Sequence, residues 1–195
     1  MAGMSEQLPV IELKHLKKYF KTPGGMLHAV DDVSLKIDQG QTLGVVGESG
    51  CGKSTLGRTL LRLLEPTGGS VLYRGQNILD YDRKQMKEMH RKLQMIFQDP
   101  YASLDPRMTV GDIIAEPVKV CGILKSPADI EKRVRNLMET VGLAERFINA
   151  YPHELDGGRR QRIGIARALA VDPEFIVCDE PVSALDVSIS RFRIC

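Results

Sequence analysis

The clearest chemistry in the chain is carried by nine consecutive residues, Gly47-Glu48-Ser49-Gly50-Cys51-Gly52-Lys53-Ser54-Thr55. They fit the pattern G-x-x-x-x-G-K-[ST], in which glycines let the backbone curl until successive N–H groups point at one anion. A helix opening at the end of such a loop adds its positive terminus. Lys53 then reaches the β- and γ-phosphates of a triphosphate, and the Ser54 hydroxyl joins a Mg2+ shell. Far downstream, the apolar run Phe175-Ile176-Val177-Cys178 stops at Asp179-Glu180. A carboxylate at a strand end, here Asp179, suits Mg2+ held through water. Its neighbour Glu180 suits the general base that polarises water in phosphoanhydride hydrolysis. Apolar strands often end in acids, so it is the phosphate loop upstream that gives this pair meaning.

Such a site needs a strand, a glycine loop and a helix in that order. Thr42 to Val46 is a short apolar run leading into the loop. Lys53 to Leu64 then places Leu56, Leu60, Leu63 and Leu64 on one helical face, ending at Glu65-Pro66-Thr67-Gly68-Gly69. Upstream, Val10 to Leu13 and Val30 to Ile37 read as strands separated by a Pro23-Gly24-Gly25 turn. Asp82 to Lys92 reads as a solvated helix face. From about Asp99 to Leu155 the pattern is helical with loops. There, Ser126 suits an N-cap, Pro127 the first helical position, and Asp129 the acid of a capping box. Ile130, Val134, Leu137, Met138 and Val141 line one face, and Gly142 can close the helix. A further helix is expected after Gly158, through Arg160 to Ala170 and closed before Pro173, and Phe175 to Cys178 reads as a buried strand.

Composition narrows the classes further. In 195 residues, 43% hydrophobic and 27% charged content is close to the globular average and excludes general disorder. Lys and Arg number 27 against 25 Asp and Glu, a net charge of +2 that gives no reason to expect nucleic acid as a partner. No apolar stretch approaches 18 residues, and the N-terminus lacks a signal-peptide core. Cys51, Cys121, Cys178 and Cys195 are too scattered for a zinc site or disulfide framework, so a reduced, cytoplasmic setting is expected.

The stretch Leu155-Asp156-Gly157-Gly158-Arg159 makes the resemblance specific. The phosphate loop, Gln98 after Met95-Ile96-Phe97, this glycine pair, Asp179-Glu180 and Ser183-Ala184-Leu185-Asp186 follow the order of ABC-type ATPases. The last four resemble that family's D-loop. Gln98 to Met108 and Tyr151-Pro152-His153-Glu154 further resemble the ATP-binding subunits of oligopeptide and dipeptide importers.

The resemblance implies an α/β fold: a P-loop NTPase (RecA-like) core with an N-terminal antiparallel β subdomain and an inserted α-helical subdomain. Residues 1–98 would hold the β subdomain and the first part of the core, 99–165 the helical subdomain, and 166–195 an incomplete second part of the core. It also implies that Tyr19, rather than the less favoured Phe20, stacks on adenine. Gln98 would touch Mg2+ or the attacking water, and Gly157 and Gly158 would meet ATP held by a second ATP-binding subunit arranged head to tail. The implied function is ATP hydrolysis that drives peptide uptake. Its implied partners are two transmembrane permease subunits and a solute-binding protein, at the cytoplasmic face of the cell membrane.

Two positions depart from the family pattern. Asp156 stands where the signature carries serine, and Arg159 where it carries glutamine. An ionised Asp only accepts hydrogen bonds and adds negative charge beside a phosphate, unless it turns away as a helix N-cap. The second departure is at the end. All four histidines precede Asp179, whereas the family's switch histidine lies beyond the D-loop, and residues 189–195 do not continue the expected helix. A truncated or frame-shifted end is therefore expected, with ATP binding safer than ATP turnover. A nucleotide-binding module with little turnover stays open as an alternative. An ABC ATPase of DNA repair fits less well, since only 57 positions separate Gln98 from Leu155, without heptads for a coiled coil.

Overall fold

In a computed structural model the structure describes residues 8–180. The chain forms two compact units, one running to Met86 and the other starting at Lys87. Ser183–Asp186 and the tail after Ser188 lie outside the described residues.

The first unit is built on a long hairpin, β1 (Ile11–Thr22) and β2 (Gly25–Ile37). The expected strands at Val10–Leu13 and Val30–Ile37 are thus the outer ends of a longer ribbon, and Gly25 belongs to β2 rather than to the turn. Ile11, Leu13, Leu16, Val30 and Ile37 are buried. The step from Leu13 to Leu16 breaks strict alternation, and the cause is local. His15 has φ 51 and opposite it Asp32 has φ 56, so the ladder shifts register there. The extra residue of this bulge turns Leu16 back to the core face. β3 (Gly68–Tyr73) pairs with the other edge of β1 and with β4 (Gln76–Asn77), giving the antiparallel order β2-β1-β3-β4. Gly69 lies against the bulge: a Cβ there would come within 2.3 Å of the His15 carbonyl oxygen.

α1 (Lys53–Leu60) packs on β1 and β2. It is shorter than the expected Lys53–Leu64. Arg62 takes φ 53, and its guanidinium donates to the carbonyls of Ile78 and Tyr81 at 2.9 Å each, so the chain turns away and Leu63 is left exposed. The expected strand at Thr42–Val46 does not form, and Val46 is 96% exposed. A continuous apolar run suits a strand paired on both sides in a parallel sheet, and no described strand pairs with this one.

The second unit joins a parallel pair to a helical core. β5 (Leu93–Ile96) pairs with β6 (Phe175–Cys178), and between them run α3 (Pro100–Ser103), α4 (Val110–Cys121), α5 (Pro127–Thr140) and α6 (Gly157–Leu169). β5 follows α2 (Arg83–Lys92) directly. β6 falls where expected but is only half-buried, with Cys178 exposed. Ile113, Ile114, Val118, Val134, Met138, Ile163 and Ala166 form the shared core of α4, α5 and α6.

α5 starts after Ser126 as expected, but the Ser126 side chain makes no capping hydrogen bond. Its far end matches the sequence closely. Gly142 has φ 67, its N–H donates to Glu139 and that of Leu143 to Met138, which closes the helix with a left-handed glycine. The ends of α5 and α6 are also exchanged through arginines. Arg162 of α6 donates to Val141 O at 2.7 Å and Gly142 O at 3.3 Å, while Arg133 of α5 donates to Leu169 O at 3.3 Å and Ala170 O at 3.5 Å. Cations suit helix C-termini, where carbonyls lack partners.

Candidate functional site

In the first unit the loop Gly47–Thr55 is shaped by its backbone. Gly50 and Gly52 take φ 79 and 98, values that side chains resist. Gly52 presses on the hairpin: a Cβ there would lie 2.0 Å from the Ala29 carbonyl oxygen. A Cβ at Gly47 would lie 2.7 Å from the Cys51 sulfur. The Lys53 ammonium folds back on the loop, donating to the carbonyls of Gly47 and Glu48 at 2.8 Å each. Gly52 precedes the first turn of α1 in a left-handed conformation, so the helix opens at Lys53. Loop N–H groups, a helix terminus and one ammonium are the donors a polyphosphate needs, and at Gly47 and Gly52 there is no room for a Cβ.

The same unit carries Tyr19. Its ring stacks on His28 with centroids 3.9 Å apart and planes 16° from parallel. Its hydroxyl donates to Asp31, whose other oxygen lies 3.4 Å from His28 Nδ1. That bond raises the Tyr19 pKa and, with the smaller effect of His28, lowers that of Asp31. Phe20, next along β1, instead faces the Lys18 ammonium 4.9 Å from its ring centre.

In the second unit the structure brings two candidates together. The Gln98 side-chain amide donates to the Glu180 carboxylate across 82 positions. Glu180 is exposed and takes φ 45, whereas Asp179 beside it is buried and its N–H donates to Ile96 O at 2.9 Å. Within this unit a carboxylate and an amide oxygen are donors of the kind that suits Mg2+. Among the described residues no cluster of three or more His, Cys, Asp or Glu offers an all-protein cage.

The signature stretch opens α6. Asp156 is its N-cap: the carboxylate accepts from the Arg159 N–H at 2.8 Å and pairs with the Arg159 guanidinium at 2.9 Å. Arg159 also lies 4.9 Å over the Phe147 ring. Behind this cap, α6 is bolted to the segment after β5 by side chains of its own. Buried Gln161 donates to Phe97 O at 3.4 Å, next to Gln98. Arg160, 6% exposed, donates to Pro152 O at 2.6 Å and sits 3.6 Å over the Tyr101 ring. Arg167 donates to Ser103 O, and burial pulls its pKa down while the charge of Glu116 raises it. His28 was not foreseen from the sequence, yet a turn at Pro23-Gly24 sets the register in which Tyr19 faces it.

The ABC transporter family model matches residues 30–183. The chain is 60% identical over 187 residues to the oligopeptide transport ATP-binding protein OppF of Bacillus subtilis (strain 168), covering 95% of this chain and 61% of that protein. It is 51% identical over 178 residues to OppF of Escherichia coli (strain K12), covering 91% of this chain and 53% of that one. The chain therefore spans between about half and three fifths of the length of these relatives. Among solved structures, the ATP-binding cassette MJ0796, in a dimeric post-hydrolysis state bound to ADP and Pi, matches with a TM-score of 0.85 at 32% identity, over 91% of this chain and 76% of that one. A second dimeric structure of MJ0796 matches with a TM-score of 0.83 at 33% identity, over 90% of this chain and 76% of that one. Among the described residues no helix is long and apolar enough to cross a membrane. By family match, identity and fold together, this chain belongs to the ABC transporter family, as an ATP-binding cassette.

Proposed function

We propose that the chain is the ATP-binding and ATP-hydrolysing subunit of an importer of oligopeptides, dipeptides or related solutes. The observation that carries the hydrolytic part is the Gln98–Glu180 hydrogen bond, which joins two groups suited to handling the attacking water. The loop N–H groups and Lys53 bind the phosphates, with Gly47, Glu48, Ser49, Gly50, Cys51, Gly52, Ser54 and Thr55 completing the cradle. Tyr19 meets the base. Glu180 takes a proton from water as its oxygen attacks the γ-phosphorus, ADP leaves with the electrons of the broken phosphoanhydride bond, and Gln98 orients the base. Ser54, Gln98 and Asp179 would hold Mg2+, which would supply charge neutralisation for the triphosphate.

In this reading residues 1–98 and 166–195 serve the nucleotide core and 99–165 form the helical subdomain. Leu155–Arg159 and the Ser183–Asp186 segment serve ATP held by a second ATP-binding subunit, homo- or heteromeric. Two transmembrane permease subunits and a solute-binding protein complete the importer at the cytoplasmic face of the membrane. The names of the OppF relatives support the peptide class, and the dimeric MJ0796 cassettes support the pairing.

Calorimetric titration of the purified chain with ATP and Mg2+ tests binding; Lys53→Ala is expected to weaken it at least tenfold. Phosphate release tests turnover. It is expected to be low for the chain alone and to disappear in Glu180→Gln while ATP binding remains. Equal release by Glu180→Gln and the unaltered chain would overturn the assignment of the base.

A further inference from the structure

At the start of α6 two side chains that depart from the family pattern are turned on each other. One oxygen of Asp156 accepts from the Arg159 backbone N–H, and the other pairs with the Arg159 guanidinium at 2.9 Å. Between them lie Gly157 and Gly158, whose N–H groups open the helix and have no acceptor inside it. At Gly157 neither a left-handed φ nor a neighbour demands glycine, since a Cβ there would meet nothing within 4 Å. This end of the helix is therefore open. A carboxylate only accepts, so the guanidinium of Arg159 is the side-chain donor of the pair. It also lies 4.9 Å over the Phe147 ring, which Arg146 faces at 5.0 Å. The Asp156 and Arg159 side chains are 59% and 43% exposed, and an ion pair that wet is held weakly.

We propose that Arg159 changes partners: in the paired cassette it leaves Asp156 and donates to the γ-phosphate of the ATP held by the second subunit. A guanidinium then takes the donor role at a signature whose serine position holds an acceptor. The inference rests on the reading that Leu155–Arg159 serves that ATP, and it adds the residue that does so. A terminal phosphate carries more negative charge than a carboxylate and takes the planar fork through two N–H bonds, so it competes well for the guanidinium. The exchange leaves the helix intact. Asp156 keeps its cap through the Arg159 backbone N–H, which does not depend on where the side chain points. Phe147 offers the flat cation a face while it is between partners.

The test uses the full chain carrying Glu180→Gln, which keeps ATP unhydrolysed, and follows ATP-driven pairing by sedimentation velocity. Adding Arg159→Gln is expected to raise the dissociation constant of the pair at least about tenfold. Arg159→Lys, which keeps the charge and loses the fork, should raise it by about threefold to fivefold. Calorimetric titration of dilute, unpaired chains should show ATP binding within about twofold in every variant, and far-UV circular dichroism should show the helices retained. The deciding comparison removes the carboxylate. In an Asp156→Ala background nothing is left to neutralise, and Arg159→Gln should still weaken pairing at least about fivefold. Equal pairing of Asp156→Ala with and without Arg159→Gln would reduce Arg159 to a neutraliser of Asp156 and overturn the proposal. So would pairing that Arg159→Gln alone leaves unchanged. Either result leaves the paired-cassette reading standing. A Glu180→Gln chain that stays monomeric in saturating ATP overturns that reading and the proposal with it.

Discussion

The loop of residues 47–55 and the neighbourhood of Gln98 hold their chemistry by opposite means. In the loop the geometry is local and made of backbone: left-handed glycines, a Lys53 that reaches five and six residues back, and a helix that opens at once. Around Gln98 it is long-range and made of side chains. Gln98 reaches Glu180 across 82 positions, and Gln161 and Arg167 each reach back 64. The first kind of site is specified by a contiguous stretch and is sensitive to any added atom. The second depends on several side chains that lie far apart in the chain.

The sharpest way to break this contrast is to add one carbon to the loop. Gly52→Ala puts a Cβ against the Ala29 carbonyl at φ 98, which should cost about 2–4 kcal/mol locally and abolish measurable ATP binding by titration. A variant that binds ATP normally would show that the loop is not held by its backbone. Next in size is Arg160→Ala, which removes a buried guanidinium from Pro152 O and from the Tyr101 ring. About 2–3 kcal/mol should be lost from the urea unfolding free energy.

A smaller loss, about 1 kcal/mol, is expected for Asp156→Ala, which deletes the N-cap of α6. Asp156→Ser keeps a capping oxygen and removes a charge, so it should preserve stability and raise phosphate release by the paired cassette. Unchanged release would mean that Asp156, turned onto its own helix, does not impair the signature.

The smallest effect concerns Asp105, whose pKa is lowered to about 2 by hydrogen bonds from the Arg107 side chain and backbone N–H. Because the folded pKa is depressed, its stabilisation is complete above the ordinary value of 3.8 and is lost as pH falls through about 2. The stability gap between Asp105→Asn and the unaltered chain, from urea titrations across pH, should therefore close in acid.

The same contrast explains what could be read in advance. The loop, β6 at Phe175–Cys178, the left-handed Gly142 and the start of α6 all follow from short-range rules: spacing, capping and glycine conformation. The option that Asp156 caps its helix was legible for that reason too. What could not be read depended on partners far along the chain. The end of α1 is set by carbonyls at Ile78 and Tyr81, and the bulge at His15 by Ser34 and Gly69. Thr42–Val46 shows the reverse: its composition suits a strand, but composition cannot supply a ladder partner.

The exchange of arginines between α5 and α6 has a dynamic consequence. Helix ends ordinarily fray on their own, one turn at a time. Here the last carbonyls of each helix are held by a side chain rooted in the other, Arg162 at Val141 and Arg133 at Leu169. Loosening one end releases an arginine from the other, so the two termini should open in a single event. Amides near 139–143 and 167–170 should then exchange with solvent at a common rate, although nearly thirty residues separate them along the chain.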